Sequence, residues 1–200
     1  MQIRSIGRFV APVAALLAAA SAHAAITAIS NDGILHVSPP STIGLPNNNQ
    51  ANVVQGFDEV QGLTLANALG VYSLSLDDDV LLPAGTTINS HMIVFDPAQT
   101  RTRTADITFS EPILGIIFRD LPLFNTHALL GRPGVSYPAN NVNAYGFEET
   151  ESAMLIDAFT LRFTATASSP GDRFRVITVP TPGAIALAGL GVVVAGRRRR

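Results

Sequence analysis

Period-two alternation of apolar and polar residues, turn chemistry between the alternating runs, and the lack of any long helical pattern predict an all-β fold. The architecture they point to is an antiparallel β-sandwich, jelly-roll-like. The clearest strand has Phe159, Leu161, Phe163 and Ala165 alternating with Thr160, Arg162, Thr164 and Thr166. Successive strand residues face opposite sides, so one side of this strand is wholly apolar. Turn residues punctuate the runs at Asn31-Asp32-Gly33, Leu82-Pro83-Ala84-Gly85, Asp96-Pro97, Arg132-Pro133-Gly134 and Ser169-Pro170-Gly171-Asp172. Glycine there frees φ and proline fixes it, which ends a strand in either case.

Taken in chain order, residues 63–69 favour a helical turn or two, and Tyr72, Leu74 and Leu76 then alternate with Val71, Ser73 and Ser75 as a strand. Residues 86–95 form a further β-rich run. Ile107 and Phe109 alternate with Asp106, Thr108 and Ser110, and Pro112 separates them from the apolar run 113–118, which suits a strand buried on both faces. Residues 148–158 begin with acidic side chains that favour a helix N-terminus, and they are assigned a short helix. The last strand spans 173–179. Segments 38–52 and 122–143 are rich in Pro, Gly and Asn and are expected to be long loops. No repeat of solenoid or propeller period is present, so residues 25–179 make one domain.

The two ends read as addresses rather than as fold. Residues 1–24 carry basic Arg4 and Arg8, an apolar stretch from Phe9 to Ala20, and the small-x-small triplet Ala22-His23-Ala24, the pattern of a cleaved signal peptide. At the other end, Val179-Pro180-Thr181-Pro182-Gly183 leads into a small apolar run that ends at Gly196, followed by Arg197, Arg198, Arg199 and Arg200. From Gly183 to Gly196 is 14 residues, about 21 Å as a helix against a hydrocarbon core of about 30 Å. That is short for a permanent transmembrane helix. Each arginine costs about 2.5–3.5 kcal/mol at the bilayer centre, so the tail stays cytoplasmic while the body is held outside.

This combination of signal peptide, proline motif, apolar segment and arginine tail resembles the PEP-CTERM proteins of Gram-negative bacteria. The family's usual central Glu is Thr181 here. The resemblance implies a sorting segment over 180–200, processing by exosortase (a membrane cysteine transpeptidase thought to cut near the proline motif), and transient residence in the inner membrane. It implies an exported product in the periplasm, at the cell surface or in the extracellular matrix. A looser likeness to exported domains of such proteins runs through Leu82-Pro83-Ala84-Gly85-Thr86, Ser90-His91-Met92, Phe95-Asp96-Pro97 and Ser169-Pro170-Gly171-Asp172-Arg173, and it brings no activity with it.

Charge narrows the partners. All 15 acidic residues lie between Asp32 and Asp172, and residues 25–179 hold only seven arginines, so the body carries −8, and the chain has no lysine. Such a surface repels phosphate backbones, and nucleic acid is not a partner. With no cysteine there is no disulfide framework or thiolate metal site.

Catalytic patterns are sparse. Beyond the signal peptide the histidines are His36, His91 and His127, with no pair at ligand spacing. Ser90 and His91 are neighbours on a strand and face opposite sides, so they do not form a nucleophile–base pair. A carboxylate pair for glycoside hydrolysis could be drawn from Asp120, Glu148, Glu149 or Asp157, and the separation that decides it is not in the sequence. Asp77, Asp78 and Asp79 crowd a strand end and offer hard oxygen ligands for Ca²⁺, the one cofactor considered, against the plainer alternative of a solvated acidic turn. Glu148-Glu149-Thr150-Glu151 is a weaker candidate of the same kind. No tryptophan and only Tyr72, Tyr137 and Tyr145 leave little for a broad sugar-stacking platform.

The sequence thus points to an exported, surface-sorted protein without catalytic activity, structural or binding in role at the envelope or in extracellular polymer. The alternative is a carbohydrate-binding or calcium-dependent adhesion module with extracellular polysaccharide as partner, and the second alternative is a small hydrolase.

Overall fold

A computed structural model of the chain describes residues 25–139, 145–148, 151–168 and 170–180. Residues 1–24, expected to be a signal peptide, and the expected sorting segment beyond Pro180 lie outside them. The described residues fall in one compact unit and are mostly β, with twelve strands and one helix. The strands are β1 (Ile26–Ile29), β2 (Ile34–Leu35), β3 (Gln55–Asp58), β4 (Leu63–Thr64), β5 (Leu69–Ser73) and β6 (Asp78–Leu82). They continue as β7 (Thr87–Phe95), β8 (Arg101–Phe109), β9 (Ile113–Ile117), β10 (Ser152–Leu155), β11 (Thr160–Ala167) and β12 (Asp172–Thr178), with α1 (Asp120–Leu130) between β9 and β10.

Two sheets result. The smaller has the order β1-β8-β11-β10, and the larger β2-β3-β7-β12-β9-β5-β6 with β4 beside β7. Neighbours run antiparallel except β2 and β3, which pair in parallel through Ile34↔Gln55 and Leu35↔Gly56. Parallel neighbours need a long return path, and the loop over 38–52 supplies it. The sheet is therefore mixed, where the sequence predicts only antiparallel pairing.

Apolar alternation builds the core. Ala105, Ile107, Phe109, Leu161, Phe163 and Ala165 of the smaller sheet pack with Ile93, Phe95, Ile116, Phe174 and Val176 of the larger. Phe163 is fully buried, stacked on Phe147 at 5.5 Å and tilted against Phe174 at 4.8 Å. Burying one such side chain contributes about 1.5–3 kcal/mol. The larger sheet is buried on its other face too. There Val71, Ile88, Ile117 and Ile177 pack under Leu123 and Leu130 of α1, and Phe57, Met92 and Val94 pack under Ile43. Ile116 and Ile117 go to opposite faces, as the apolar run 113–118 predicts.

Three assignments change. Segment 122–143 is not all loop, since α1 occupies 120–130; Pro122 sits in its first turn, where the missing N–H costs nothing. Asp120 fixes the start by accepting the Tyr145 and Gly146 N–H groups at 2.9 and 2.8 Å. Residues 148–158, expected to be helical, instead hold strand β10, paired with β11 from Ser152↔Thr164 to Leu155↔Leu161. Residues 63–69 likewise give β4 and the start of β5, because Leu63 and Thr64 find ladder partners in Ile88 and Thr87. Gly115 on β9 lets β5 approach closely, since a Cβ there would lie 2.6 Å from the Tyr72 carbonyl oxygen.

Candidate functional site

The strongest polar constellation is buried on the α1 side of the larger sheet. Arg175 of β12 and Glu59, just after β3, have fully buried side chains and form a two-pronged pair, Nε to Oε2 at 2.7 Å and Nη2 to Oε1 at 3.0 Å. Glu59 accepts two further bonds, from Ser90 Oγ at 2.8 Å and Tyr137 OH at 2.6 Å. Arg175 Nη1 reaches the Leu123 carbonyl and Thr126 Oγ1, each at 2.9 Å, and Nη2 meets His127 Nδ1 at 3.0 Å. Every guanidinium N–H thus has an acceptor, and the pair ties α1 to the sheet.

Two neighbours feel this setting. Burial, reinforced by the positive charges of Arg175 and Arg173, pushes His127 down to about 3, so its ring is neutral at ordinary pH. Burial and the adjacent Glu59 carboxylate push the Tyr137 hydroxyl up. His127 stacks on the Tyr137 ring at 4.7 Å. A neutral histidine lodged between an aromatic ring and an arginine serves as an acceptor in a packed interior.

His91 is paired on the opposite face. Its Nδ1 lies 2.8 Å from Asp58 Oδ1 and its Nε2 3.1 Å from Thr178 Oγ1. The connectivity is that of a carboxylate–imidazole–hydroxyl relay. His91 and Thr178 are both fully buried, however, and Asp58 Oδ1 also accepts the Ile26 N–H at 3.1 Å. The arrangement clasps β1, β3, β7 and β12 together and presents no hydroxyl to a substrate. Ser90 and His91 do take opposite sides of β7. His36 bonds Gln55 at 2.7 Å between β2's end and β3.

An open cavity of about 370 Å³ lies where the β5–β6 hairpin stands beside α1, a size in the range of small-ligand sites, about 300–1,000 Å³. Val71, Val80 and Ile117 form its apolar floor, and Asp79, Arg119 and Asn125 stand among its lining. Arg119 Nη1 donates to Asp79 Oδ2 at 2.8 Å, and its guanidinium lies over the Phe118 ring at 5.3 Å. Phe118 meets Tyr72 edge-on at 5.4 Å.

Of the acidic cluster proposed from sequence for Ca²⁺, the three members turn to different partners. Asp77, in a left-handed turn conformation at φ 54°, accepts the Tyr72 hydroxyl; Asp78 accepts the Asp79 N–H at 2.8 Å; Asp79 holds Arg119. The hydrogen bond that the Tyr72 hydroxyl donates to Asp77 holds its phenol pKa above the ordinary value. Among the described residues no group of three or more His, Asp or Glu side chains is gathered for one ion. Of the glycosidase candidates, Asp120 caps Tyr145 and Gly146, Asp157 accepts Phe159 N–H at 2.7 Å, Glu148 is exposed, and Glu149 lies outside the described residues.

One carboxyl escaped the sequence reading. Asp172 is 6% exposed and its Oδ2 is buried without a hydrogen-bond partner. Burial first, then the charges of Glu151 and Glu148, push it up to about 8. Its neighbour Arg173, facing the other way along β12, donates to the Gly44 and Leu45 carbonyls, and burial lowers its pKa.

Of the sorting residues, Val179 and Pro180 are described. Val179 N–H donates to the Pro112 carbonyl at 3.1 Å; Thr181, Pro182, Gly183 and Arg197 to Arg200 lie outside the described residues. No helix among the described residues is long and apolar enough to cross a membrane. No protein-family model matches the chain, and comparison with curated proteins and with solved structures likewise finds no match.

Proposed function

We propose that this chain is an exported, surface-sorted, non-catalytic protein whose β-sandwich body, jelly-roll-like in type, has a structural or binding role at the cell envelope or in extracellular polymer. The observation that carries the reading is the position of β12: it ends at Thr178, and Val179 N–H bonds the Pro112 carbonyl directly before Pro180-Thr181-Pro182. In this reading a sorting enzyme of the exosortase type meets its motif just after β12. The membrane partner in this reading is transient.

Mass spectrometry of the exported product tests it. The expected product starts near Ala25 and ends near the proline motif, and replacement of Pro180 and Pro182 blocks only the C-terminal cut. Soluble extracellular protein that ends intact at Arg200 would sink the sorting reading.

The second reading, a carbohydrate-binding module, is favoured by the cavity beside α1, whose apolar floor and polar margin are what a ring with hydroxyl groups requires.

A further inference from the structure

The cavity between the β5–β6 hairpin and α1 has a lining whose charges cancel. Arg119 and Asp79 are its charged members, and they pair with each other at 2.8 Å. Neither an anion nor a cation finds an uncompensated partner there. What the lining does offer is unspent hydrogen-bonding capacity on planar groups. Arg119 uses only Nη1 and Asp79 only Oδ2 among its side-chain atoms, and the Asn125 amide bonds to no described residue. A guanidinium fork donates, a carboxylate oxygen accepts, and an amide does both, so the three together can meet adjacent hydroxyls that each donate and accept.

The floor beneath them is apolar: half-buried Val80 is the cross-strand partner of Val71, and Val71 and Ile117, both nearly fully buried, close the cavity below it. The matching ligand has one apolar face, a margin of hydroxyls and no net charge. We propose that this cavity binds a neutral glycan, with a sugar-ring face over Val80 and its hydroxyls on Arg119, Asp79 and Asn125. This rests on the carbohydrate-binding reading above and supplies its site. Asp77 and Asp78 precede Asp79 in a body of charge −8, so acidic polysaccharides are repelled from the same mouth.

The test is a microarray of neutral and acidic glycans probed with the full chain, kept soluble in a detergent that carries no sugar, followed by calorimetry on the strongest neutral oligosaccharide. Asn125→Ala and Arg119→Ala change exposed side chains and leave the fold intact, which circular dichroism verifies. Each should weaken the Kd by about tenfold, the loss of one or two hydrogen bonds to ligand. Thr104→Ala, on the smaller sheet, should leave it unchanged. Neutral binding that neither cavity variant weakens overturns the cavity assignment while the carbohydrate reading stands. Preference for acidic glycans overturns the charge argument and with it the proposal. No glycan retained anywhere on the array overturns both the site and the reading on which it rests.

Discussion

Truncating Glu59 to alanine removes the acceptor of four hydrogen bonds at once: those from Arg175 Nε and Nη2, Ser90 Oγ and Tyr137 OH. It leaves the guanidinium of Arg175, whose side chain has no exposure, without its counter-charge. Breaking a buried pair from one side costs about 3–5 kcal/mol, a large share of the 5–15 kcal/mol by which such a domain is stable. The Asp106–Arg162 pair is the internal control. It is also two-pronged, at 2.7 and 2.9 Å, but its side chains are 34% and 49% exposed. Asp106→Ala should therefore cost no more than about 1 kcal/mol. Replacing both Glu59 and Arg175 by leucine and methionine should cost less than the sum of the two single changes, since it removes the stranded charge along with its partner. Urea unfolding followed by far-ultraviolet circular dichroism gives all four numbers. A loss from Glu59→Ala no larger than that from Asp106→Ala would falsify the claim that this pair is desolvated and that it holds α1 down.

Asp172 makes the opposite case, because its folded pKa lies near 8, above the ordinary carboxyl value. The fold keeps a proton that the unfolded chain releases, so this group's contribution to stability is full at about pH 4 and declines as pH rises toward 8. Asp172→Asn should remove that slope and stabilise the protein by about 1–3 kcal/mol at pH 8 while changing little at pH 4; an equal effect at both pH values contradicts the assignment to Glu148, Glu151 and burial. His127, lowered to about 3, should stay neutral in an NMR titration down to pH 4, and stability tied to it should fall as pH drops from about 6.5. Millimolar calcium is expected to leave the melting temperature flat, because Asp77 and Asp79 are held by Tyr72 and Arg119. A rise of several degrees that Asp79→Asn abolishes would reinstate the cluster as a calcium site.

Strands with one clean face were legible from the sequence: Leu161, Phe163 and Ala165 are all buried with Thr164 and Thr166 on the outer face of β11, although Phe159, read as part of the same face, lies before the strand and is exposed. The helix was not, for its stretch contains Pro122, is followed by Gly131 and Pro133, and buries only Leu123 and Leu130, which is too thin a stripe to show a period. Glutamates before β10 imitated a helix start, and pairing with β11 overrode them. The cavity and the Glu59–Arg175 pair were invisible for another reason. The pair spans 116 residues, and alternation along 173–179 reads Arg173 and Arg175 as solvent-facing until α1 and the loop over 38–52 are laid across them. Only the sheet order brings these residues together.

The position of β12 bears on how the chain responds to force. Although it is the last strand in sequence, it lies between β7 and β9, registered with β7 from Asp172↔Phe95 to Thr178↔Asn89. A pull applied beyond Pro180, as when the tail is gripped while the body is blocked outside, runs along the strand axis and loads the bonds on both flanks together. Resistance is then shared by a whole ladder, where an edge strand would be peeled off one bond at a time. The same placement means that the larger sheet cannot close until its C-terminal strand has emerged. Under the proposed export, a chain threaded through a membrane pore stays unfinished, and so still threadable, until nearly all of the body has crossed.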